Sequence, residues 1–266
     1  PDLRGLLGRN GVSTLGGVAA AGASGPRRVQ VGACRDQVLG LRFVNGAGVI
    51  VKAGGRVVKN VTGLDIGKLL GGSHGRVGVI TELAFRGQAV PEAVATLVGE
   101  RPLAEGLAAL RAGLGAPMVV SGAAYAGGRA MIRVEGMVGS VAYRAGALRA
   151  RLGGDWDVVD GEAPWPAVRD VTAFAGRAGQ VWRVSVRPGD ALAVVQGLAG
   201  EAGFDWGGGL IWLLADSAVD VRARVAGRGH ATLMRGDGVV FEPEAPAVAA
   251  LTAGIRAKFD PKGIFH

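Results

Sequence analysis

The sequence has one cysteine, Cys34, among its 266 residues, and only three histidines. A single thiol excludes an internal disulfide and any iron–sulfur cluster ligated by several cysteines of this chain. If the protein works with an iron–sulfur centre, that centre lies on another polypeptide. The histidines are scattered along the chain, which argues against a metal site, and we interpret the lone cysteine as a small buried hydrophobic residue.

Long hydrophobic runs are also missing. A membrane-spanning helix needs about 18 or more consecutive apolar residues, whereas the longest apolar pieces, such as Leu210–Ala215, have the length of a strand. The sequence shows no signal peptide either. We therefore expect a soluble cytoplasmic protein that reaches the inner face of a membrane only through its partners.

Concentrated charge is the third absence. The net charge of +8 and the isoelectric point near 10.5 come mainly from arginines spread along the chain. Without a basic run or a basic patch interleaved with aromatic residues, nucleic-acid binding is not expected. The hydrophobic fraction of 49% is that of a globular protein with a substantial core, which excludes a disordered chain.

Glycine is abundant. The most informative glycine-rich stretch is residues 13–28, which read STLGGVAAAGASGPRR. Gly16 and Gly17 have no Cβ, so the amides of residues 14–18 can approach an anion at the start of a short helix. A pyrophosphate is the anion that suits this arrangement. The alternative is an ordinary tight turn packed under a sheet, and this stretch alone does not decide between them.

Two later stretches combine glycine with apolar strands. Residues 36–48 read DQVLGLRFVNGAG, an acidic residue followed by a strand and a predicted hairpin turn at Asn45 and Gly46. Residues 71–82 read GGSHGRVGVITE, a second glycine loop that enters a strand. No G-x-G-x-x-G lies between a strand and a helix here, which argues against a Rossmann fold.

In their order along the chain, and with KNVTGLD beginning at Lys59, these motifs resemble the FAD-linked oxidases of the vanillyl-alcohol oxidase, or PCMH, type. Within that family they are most similar to the FAD-binding E subunit of glycolate oxidase. The C-terminal part agrees, with RGHATLMRG, FEP and RAKFDPKGIF in sequence. The resemblance covers nearly the whole chain, and several separated motifs in one order are more specific than a single glycine loop.

The resemblance implies that FAD is the cofactor. Backbone amides beside glycine would donate hydrogen bonds to it, and apolar side chains would cover the flavin ring. His74 stands where the family more often has an acidic or small residue, which puts a role for its side chain in doubt. The residues implied for cofactor binding are Thr14, Leu15, Gly16, Gly17, Ala21, Gly22, Ala23, Ser24, His74, Gly75, Gly78, Val79 and Ile80.

Two residues of RGHATLMRG are candidates for catalysis, His230 and Arg235. An arginine can bind a carboxylate through two parallel hydrogen bonds, and a histidine can take a proton as hydride leaves carbon. The alternative for His230 is a hydrogen-bonded structural role. Relatives that oxidise 2-hydroxy acids carry a metal-binding HxGDGNxH run, which this sequence lacks, so no metal site is predicted and the hydride step is expected on a homologous subunit.

The function implied by the resemblance is that of an FAD-binding subunit of a glycolate oxidase complex, which oxidises a small 2-hydroxy acid, glycolate, to glyoxylate. The implied partners are a homologous FAD-binding catalytic subunit and an iron–sulfur subunit that takes the electrons from flavin. The alternative is a noncatalytic structural or assembly subunit that keeps the fold without binding FAD.

The predicted fold class is α+β. We expect a partial PCMH-type FAD-binding domain with an antiparallel sheet and without its first subdomain over residues 1–88, a ferredoxin-like α+β domain over residues 89–240, and a C-terminal segment, residues 241–266, whose helix returns to the first domain. Predicted helices include residues 19–23, 66–70, 191–202 and 246–259. Trp206 could cover the flavin or pack between the domains.

Overall fold

The chain forms two antiparallel β-sheets, a small one near the N-terminus and a large one after it. The structure is a computed structural model that describes residues 1–57 and 63–265. Lys59 and the three residues after it, which carry most of the KNVTGLD motif, therefore lie outside the described residues, as does His266. The antiparallel sheets packed with helices confirm the predicted α+β class.

The small sheet has three strands in the order β2-β1-β3. Its strands are β1 (Val38–Val44), β2 (Ile50–Gly54) and β3 (Val79–Phe85). Phe43 is fully buried at the centre of its core. The turn between β1 and β2 is longer than the predicted two-residue Asn-Gly turn, because the side-chain oxygen of Asn45 accepts hydrogen bonds from the amides of Ala47 and Val49.

Two short helices, α2 (Leu15–Ala20) and α4 (Ile66–Leu70), pack against this sheet, whereas α1 (Arg4–Leu7) and α3 (Arg28–Val31) pack against the large sheet. The prediction of a helix over residues 19–23 was wrong, since the Thr14 hydroxyl accepts a hydrogen bond from the Gly17 amide at 3.0 Å and starts α2 earlier. The helix over residues 66–70 is confirmed. Asp65 caps it by accepting from the Lys68 amide at 3.2 Å.

The large sheet has eight strands in the order β11-β8-β10-β9-β5-β6-β4-β7. In chain order they are β4 (Ala93–Glu100), β5 (Gly122–Ala126), β6 (Arg129–Gly136), β7 (Asp157–Asp160), β8 (Gln180–Val186), β9 (Gly200–Asp205), β10 (Leu210–Ala215) and β11 (Gly229–Arg235). The helices that accompany them are α5 (Leu103–Leu114), α6 (Val138–Leu152), α7 (Trp165–Asp170), α8 (Ala191–Val195), α9 (Val221–Val225) and α10 (Pro246–Phe259).

The large sheet consists of two ferredoxin-like units side by side. The first runs β4-α5-β5-β6-α6-β7 and the second β8-α8-β9-β10-α9-β11. In both units the fourth strand lies beside the first, the first beside the third, and the third beside the second. Tyr125 on β5 pairs with Phe204 on β9 and joins the units. The predicted ferredoxin-like pattern is therefore present twice.

The predicted helix over residues 191–202 was wrong in its second half. The helix ends at Val195, Gly197 adopts a left-handed φ of 74°, and the chain continues as β9. Residues 200–205 form a strand because they pair on both sides. β9 lies between β10 of its own unit and β5 of the other. Helix propensity is a weak preference that such tertiary pairing overrides.

The end of the C-terminal helix α10 contacts the small sheet. The Phe259 ring is centred 6.0 Å from that of Phe43, and the Phe259 carbonyl accepts a hydrogen bond from the Gly46 amide at 2.8 Å. Domain boundaries near residues 88 and 240 stay predictions. Over residues 1–57 and 63–265, we find no helix with the length and apolar character that crossing a bilayer requires.

Candidate functional site

The two glycine-rich stretches lie side by side. The Gly72 amide donates to the Ala19 carbonyl at 3.0 Å, and the His74 amide donates to the Ala20 carbonyl at 2.8 Å. A Cβ on Gly22 would stand 3.1 Å from the Gly72 Cα, so the two backbones are in close contact. Residues 13–28 and 71–82 thus form one surface, as a shared ligand site requires.

The start of α2 and the start of β3 form an open part of this surface. Leu15 is 69% exposed and Val79 is 55% exposed. A Cβ on Gly16 would meet no atom closer than 3.8 Å, where it faces the Ile80 carbonyl. Thr14 and Gly17 are exposed beside them. This group of predicted cofactor residues therefore offers backbone and apolar side chains that a ligand can reach.

Other predicted cofactor residues have structural contacts of their own. A Cβ on Gly78 would stand 2.5 Å from a ring carbon of Phe43, so this glycine is needed for packing of the small sheet. The Ser24 hydroxyl accepts a hydrogen bond from the Cys34 amide at 3.0 Å. Gly75 adopts a φ of 79°, which favours glycine, and has open space around it. Ala21 and Ala23 lie on the same turn after α2, at whose end the Ala21 amide bonds to the Gly17 carbonyl at 2.9 Å.

A cavity of about 890 Å³ opens between the second glycine loop, β8, β11, the FEP segment and α10. Its wall includes His74 from the glycine loop and His230 from β11. The structure therefore brings together two predicted site residues that are far apart in sequence. The volume lies within the range of about 300–1,000 Å³ that is common for small-molecule and cofactor sites.

The FEP segment, residues 241–243, forms one side of the cavity. The ring of Phe241 is 4.9 Å from the His74 ring in an edge-to-face arrangement, and the Arg76 guanidinium lies 4.4 Å above it. Burial lowers the pKa of His74, and the nearby charges of Arg76 and Arg183 lower it further. The surroundings of His74 therefore disfavour its protonated form.

Arg235, the second predicted catalytic residue, is outside the lining of this cavity. Its guanidinium donates to the carbonyls of Leu6 at 2.7 Å and Phe174 at 3.0 Å, and also to that of Arg177. These bonds hold α1 and residues 172–177 against the end of β11. The structure thus gives Arg235 main-chain partners and does not bring it to the cavity with His230.

A different arginine, Arg183, lines the cavity with His230. Arg183 on β8 is opposite Thr232 on β11, and Ser185 is opposite His230. Residues directly opposite in an antiparallel pair share a face, as do residues two apart along a strand. Arg183 and His230 are therefore diagonal neighbours on one face. Arg183 was not predicted as a site residue, and its only signal in the sequence is a charged residue inside the strand VWRVSV.

The residues present fit an FAD cofactor. The hydroxyl oxygen of Ser73, in the second glycine loop, is buried and has no hydrogen-bond partner within residues 1–57 and 63–265. Ser73 borders the cavity, so a ligand there can supply the missing partner. The free space at the Gly16 Cβ position and the exposed apolar side chains of Leu15 and Val79 match the backbone and ring contacts that a dinucleotide needs.

Trp206 packs between the N-terminal segment and the large sheet. Its side chain is buried, its indole nitrogen donates to the Gly25 carbonyl at 3.1 Å, and the Arg28 guanidinium lies 4.5 Å from its ring. Of the two interpretations open from the sequence, the structure supports interface packing.

Comparison with known proteins places the chain in a family. No family model matches the chain. The glycolate oxidase subunit GlcE of Escherichia coli is 38% identical over 259 residues, which cover 96% of this chain and 71% of that protein. The chain belongs to the GlcE family of glycolate oxidase subunits. This membership confirms the resemblance seen in the motifs and the predicted class, an FAD-linked oxidoreductase subunit.

Shorter matches extend the family. The glycolate oxidase subunit GlcD of Bacillus subtilis is 37% identical over 87 residues, 33% of this chain and 18% of that protein. The mitochondrial D-lactate dehydrogenase [cytochrome] of Arabidopsis thaliana is 39% identical over 80 residues, 30% of this chain and 14% of that protein.

Solved structures agree on the fold. An alkyldihydroxyacetonephosphate synthase superposes with a TM-score of 0.61 at 14% identity, covering 95% of this chain and 58% of that one. The BBE-like 1 protein of Physcomitrella patens superposes with a TM-score of 0.62 at 15% identity, covering 95% and 69%. These likenesses confirm the PCMH-type fold, and the chain spans about three fifths to two thirds of these longer proteins.

Proposed function

We propose that this chain binds FAD as a subunit of a glycolate oxidase complex, and that the complex oxidises glycolate to glyoxylate. The observation that carries the proposal is the cavity on which the second glycine loop and His230 meet, in a chain of the GlcE family. The unpartnered Ser73 hydroxyl in its wall supports a ligand there.

The residues proposed to hold the cofactor belong to the two glycine-rich stretches. Amides near Gly16 and Gly75 would donate to the pyrophosphate and the flavin edge, and Leu15 and Val79 would cover apolar parts. When bound, a flavin accepts the hydride that leaves the hydroxyl-bearing carbon of a 2-hydroxy acid. The proposed set is Thr14, Leu15, Gly16, Gly17, Ala21, Gly22, Ala23, Ser24, His74, Gly75, Gly78, Val79 and Ile80, to which we add Ser73.

We place the substrate's own oxidation on a homologous GlcD-type subunit and regard this chain as a flavin carrier. Its sequence lacks the HxGDGNxH run of the catalytic relatives, and Arg235 is engaged with carbonyl groups. His230, exposed on the cavity wall, is a side chain that could accept a proton from a hydroxyl group. An iron–sulfur subunit would take the electrons, in a cytoplasmic complex attached to the membrane through partners.

The test is an FAD titration of the purified protein, alone and in complex with a GlcD-type subunit. We expect flavin absorbance in the purified complex and saturable quenching of flavin fluorescence by the chain. The chain's contribution is isolated by comparing the complex with the GlcD-type subunit alone. If this chain adds no flavin to the complex and does not bind FAD by itself, it is a noncatalytic assembly subunit and the proposal is wrong.

A further inference from the structure

A half-buried arginine with no acidic partner among the described residues lines the cavity. Arg183 lies in the middle of β8, and its guanidinium carbon is 5.5 Å from the centre of the Trp206 ring. Within residues 1–57 and 63–265, no carboxylate oxygen lies within 4.0 Å of it, and it makes no hydrogen bond through its side chain. Burial lowers the pKa of Arg183, and the charge of Arg28 lowers it further.

Partial burial of a charge costs free energy unless a partner compensates it. The acidic side chains of the cavity do not provide that partner. The Glu242 carboxylate accepts from the Ala231 amide at 3.3 Å, and the Glu244 carboxylate accepts from the Thr252 hydroxyl at 3.1 Å. The cavity therefore contains an uncompensated positive charge that an anionic ligand would neutralise.

The other two arginines in the described lining have different contacts. Arg76 stacks on the Phe241 ring at 4.4 Å, and Arg256 donates to the Phe265 carbonyl at 3.0 Å. The aromatic neighbour of Arg183 is only at 5.5 Å, and its nitrogen atoms are not used by the protein. Neither Arg183 nor Arg76 makes a side-chain hydrogen bond within residues 1–57 and 63–265, and of the two it is Arg183 that shares a strand face with His230.

We propose that Arg183 binds the carboxylate of a small 2-hydroxy or 2-oxo acid in this cavity, an inference that goes beyond the proposed function because it gives the flavin-carrying subunit an acid-binding site of its own. A guanidinium matches a carboxylate with two parallel hydrogen bonds. His230 lies diagonally across the β8–β11 pair on the same face, so a hydroxyl or keto oxygen next to the carboxylate would be on the histidine's side.

The proposal is tested by titrating glycolate and glyoxylate into the flavin-free protein and following binding by calorimetry or NMR. Arg183→Gln removes the positive charge, and Arg183→Lys keeps the charge but cannot form the two parallel hydrogen bonds of a guanidinium. Arg149→Gln is the matched control, because Arg149 is an exposed arginine on α6 outside the cavity. Glycolamide, which has the size of glycolate without its charge, and inorganic phosphate are the two comparison ligands.

We expect glycolate to bind the native protein and Arg149→Gln with the same Kd, at least tenfold more weakly to Arg183→Gln, and with an intermediate Kd to Arg183→Lys. Glycolamide should not bind. Unchanged glycolate binding in Arg183→Gln, equal binding of glycolamide, or no glycolate binding to the native protein would each overturn the inference. Phosphate binding that is tighter than glycolate binding and depends on Arg183 would assign the residue to a cofactor phosphate instead.

A second measurement covers the case in which Arg183→Gln does not fold. Phenylglyoxal modifies arginines, and mass spectrometry of the native protein should show that glycolate protects Arg183 and leaves Arg149 reactive. Absence of protection would count against the proposal. FAD affinity measured on the same samples separates the two hypotheses. Failure to bind FAD with intact carboxylate binding would refute only the proposed function. FAD binding without Arg183-dependent carboxylate binding would refute only the role of Arg183.

Discussion

The indole nitrogen of Trp206 donates a hydrogen bond to the main-chain oxygen of Gly25, 3.1 Å away and 181 positions earlier in the chain. Trp206 adopts a left-handed φ of 55°, which non-glycine residues rarely do. The Arg28 guanidinium stacks on its ring. This contact holds the first glycine-rich stretch against the large sheet, so it helps to position the candidate site.

Replacing Trp206 with phenylalanine should weaken this attachment. The Gly25 carbonyl would lose its donor in a partly buried place, which we expect to lower the free energy of unfolding by about 1–3 kcal/mol. Trp212→Phe is the control, because Trp212 is buried in the same sheet and its indole nitrogen makes no hydrogen bond within the described part of the chain. Urea unfolding measures both, and an equal loss in the two variants would contradict the importance of the bond.

Two glycines of the proposed cofactor site should respond differently to alanine. At Gly16 the added methyl group has room, so Gly16→Ala should leave the free energy of unfolding unchanged or raise it by up to about 1 kcal/mol. It should weaken FAD binding at least tenfold if the backbone there touches the cofactor. Fluorescence titration and urea unfolding provide the two readouts, and native FAD affinity would remove Gly16 from the site.

Gly78→Ala should act through the fold. Its Cβ would lie 2.5 Å from the Phe43 ring, so the small sheet must shift, at a cost of about 1–3 kcal/mol. Any loss of FAD in this variant would then follow from the damaged sheet. A stable Gly78→Ala protein with native melting temperature would show that the packing at Phe43 is looser than the structure indicates.

Asp205 should make stability depend on pH. Burial raises the pKa of Asp205 from 3.8 to about 7, although the Trp206 amide at 2.7 Å and the charge of Arg133 act in the opposite direction. The folded protein then keeps a proton that the unfolded chain loses, so stability falls as pH rises from about 4 to about 7 and is level above that. Each pKa unit corresponds to about 1.4 kcal/mol.

Asp205→Asn should remove this part of the pH dependence and make the variant more stable than the native protein at pH 8. The free energy of unfolding at several pH values between 4 and 9 gives the comparison. Asp216→Asn, at an exposed position, serves as the control and should leave the slope unchanged. If the free energy of unfolding of Asp205→Asn falls with pH as steeply as that of the native protein, the Asp205 carboxyl is already ionised in the folded state at low pH.

His230 and Arg235 separate a flavin carrier from a catalytic subunit. Arg235→Lys should lower stability by about 1–3 kcal/mol, since one ammonium nitrogen cannot take the positions of the two guanidinium nitrogens that donate to the carbonyls of Leu6, Phe174 and Arg177. In the reconstituted complex we expect neither Arg235→Lys nor His230→Ala to change glycolate-driven flavin reduction by as much as about threefold. Rapid mixing measures the rate, and a loss of roughly 100-fold in His230→Ala would make this subunit catalytic.

The local chemistry of the sequence was enough to predict several elements and the family. Asp65 predicted the start of α4 because a carboxylate accepts from amides only a few residues ahead, and α10 was predicted over the residues that form it. The order of the glycine motifs was sufficient to recognise a flavin-linked oxidoreductase, since such motifs reflect short-range backbone requirements. The prediction of a helix over residues 191–202 was wrong in its second half, because that half leads into β9, a strand stabilised by residues distant in the chain.

Only the tertiary structure decided which side chains meet at the cavity. Arg235 is five residues from His230, yet its donors are taken by carbonyls from α1 and residues 174–177, while Arg183 reaches the histidine's face through the register of β8 and β11. Gly78, which stays a predicted cofactor residue, also has Phe43 packed against the position that a Cβ would take. Strand register and packing depend on contacts between residues far apart in the chain, and no local pattern in the sequence specifies them.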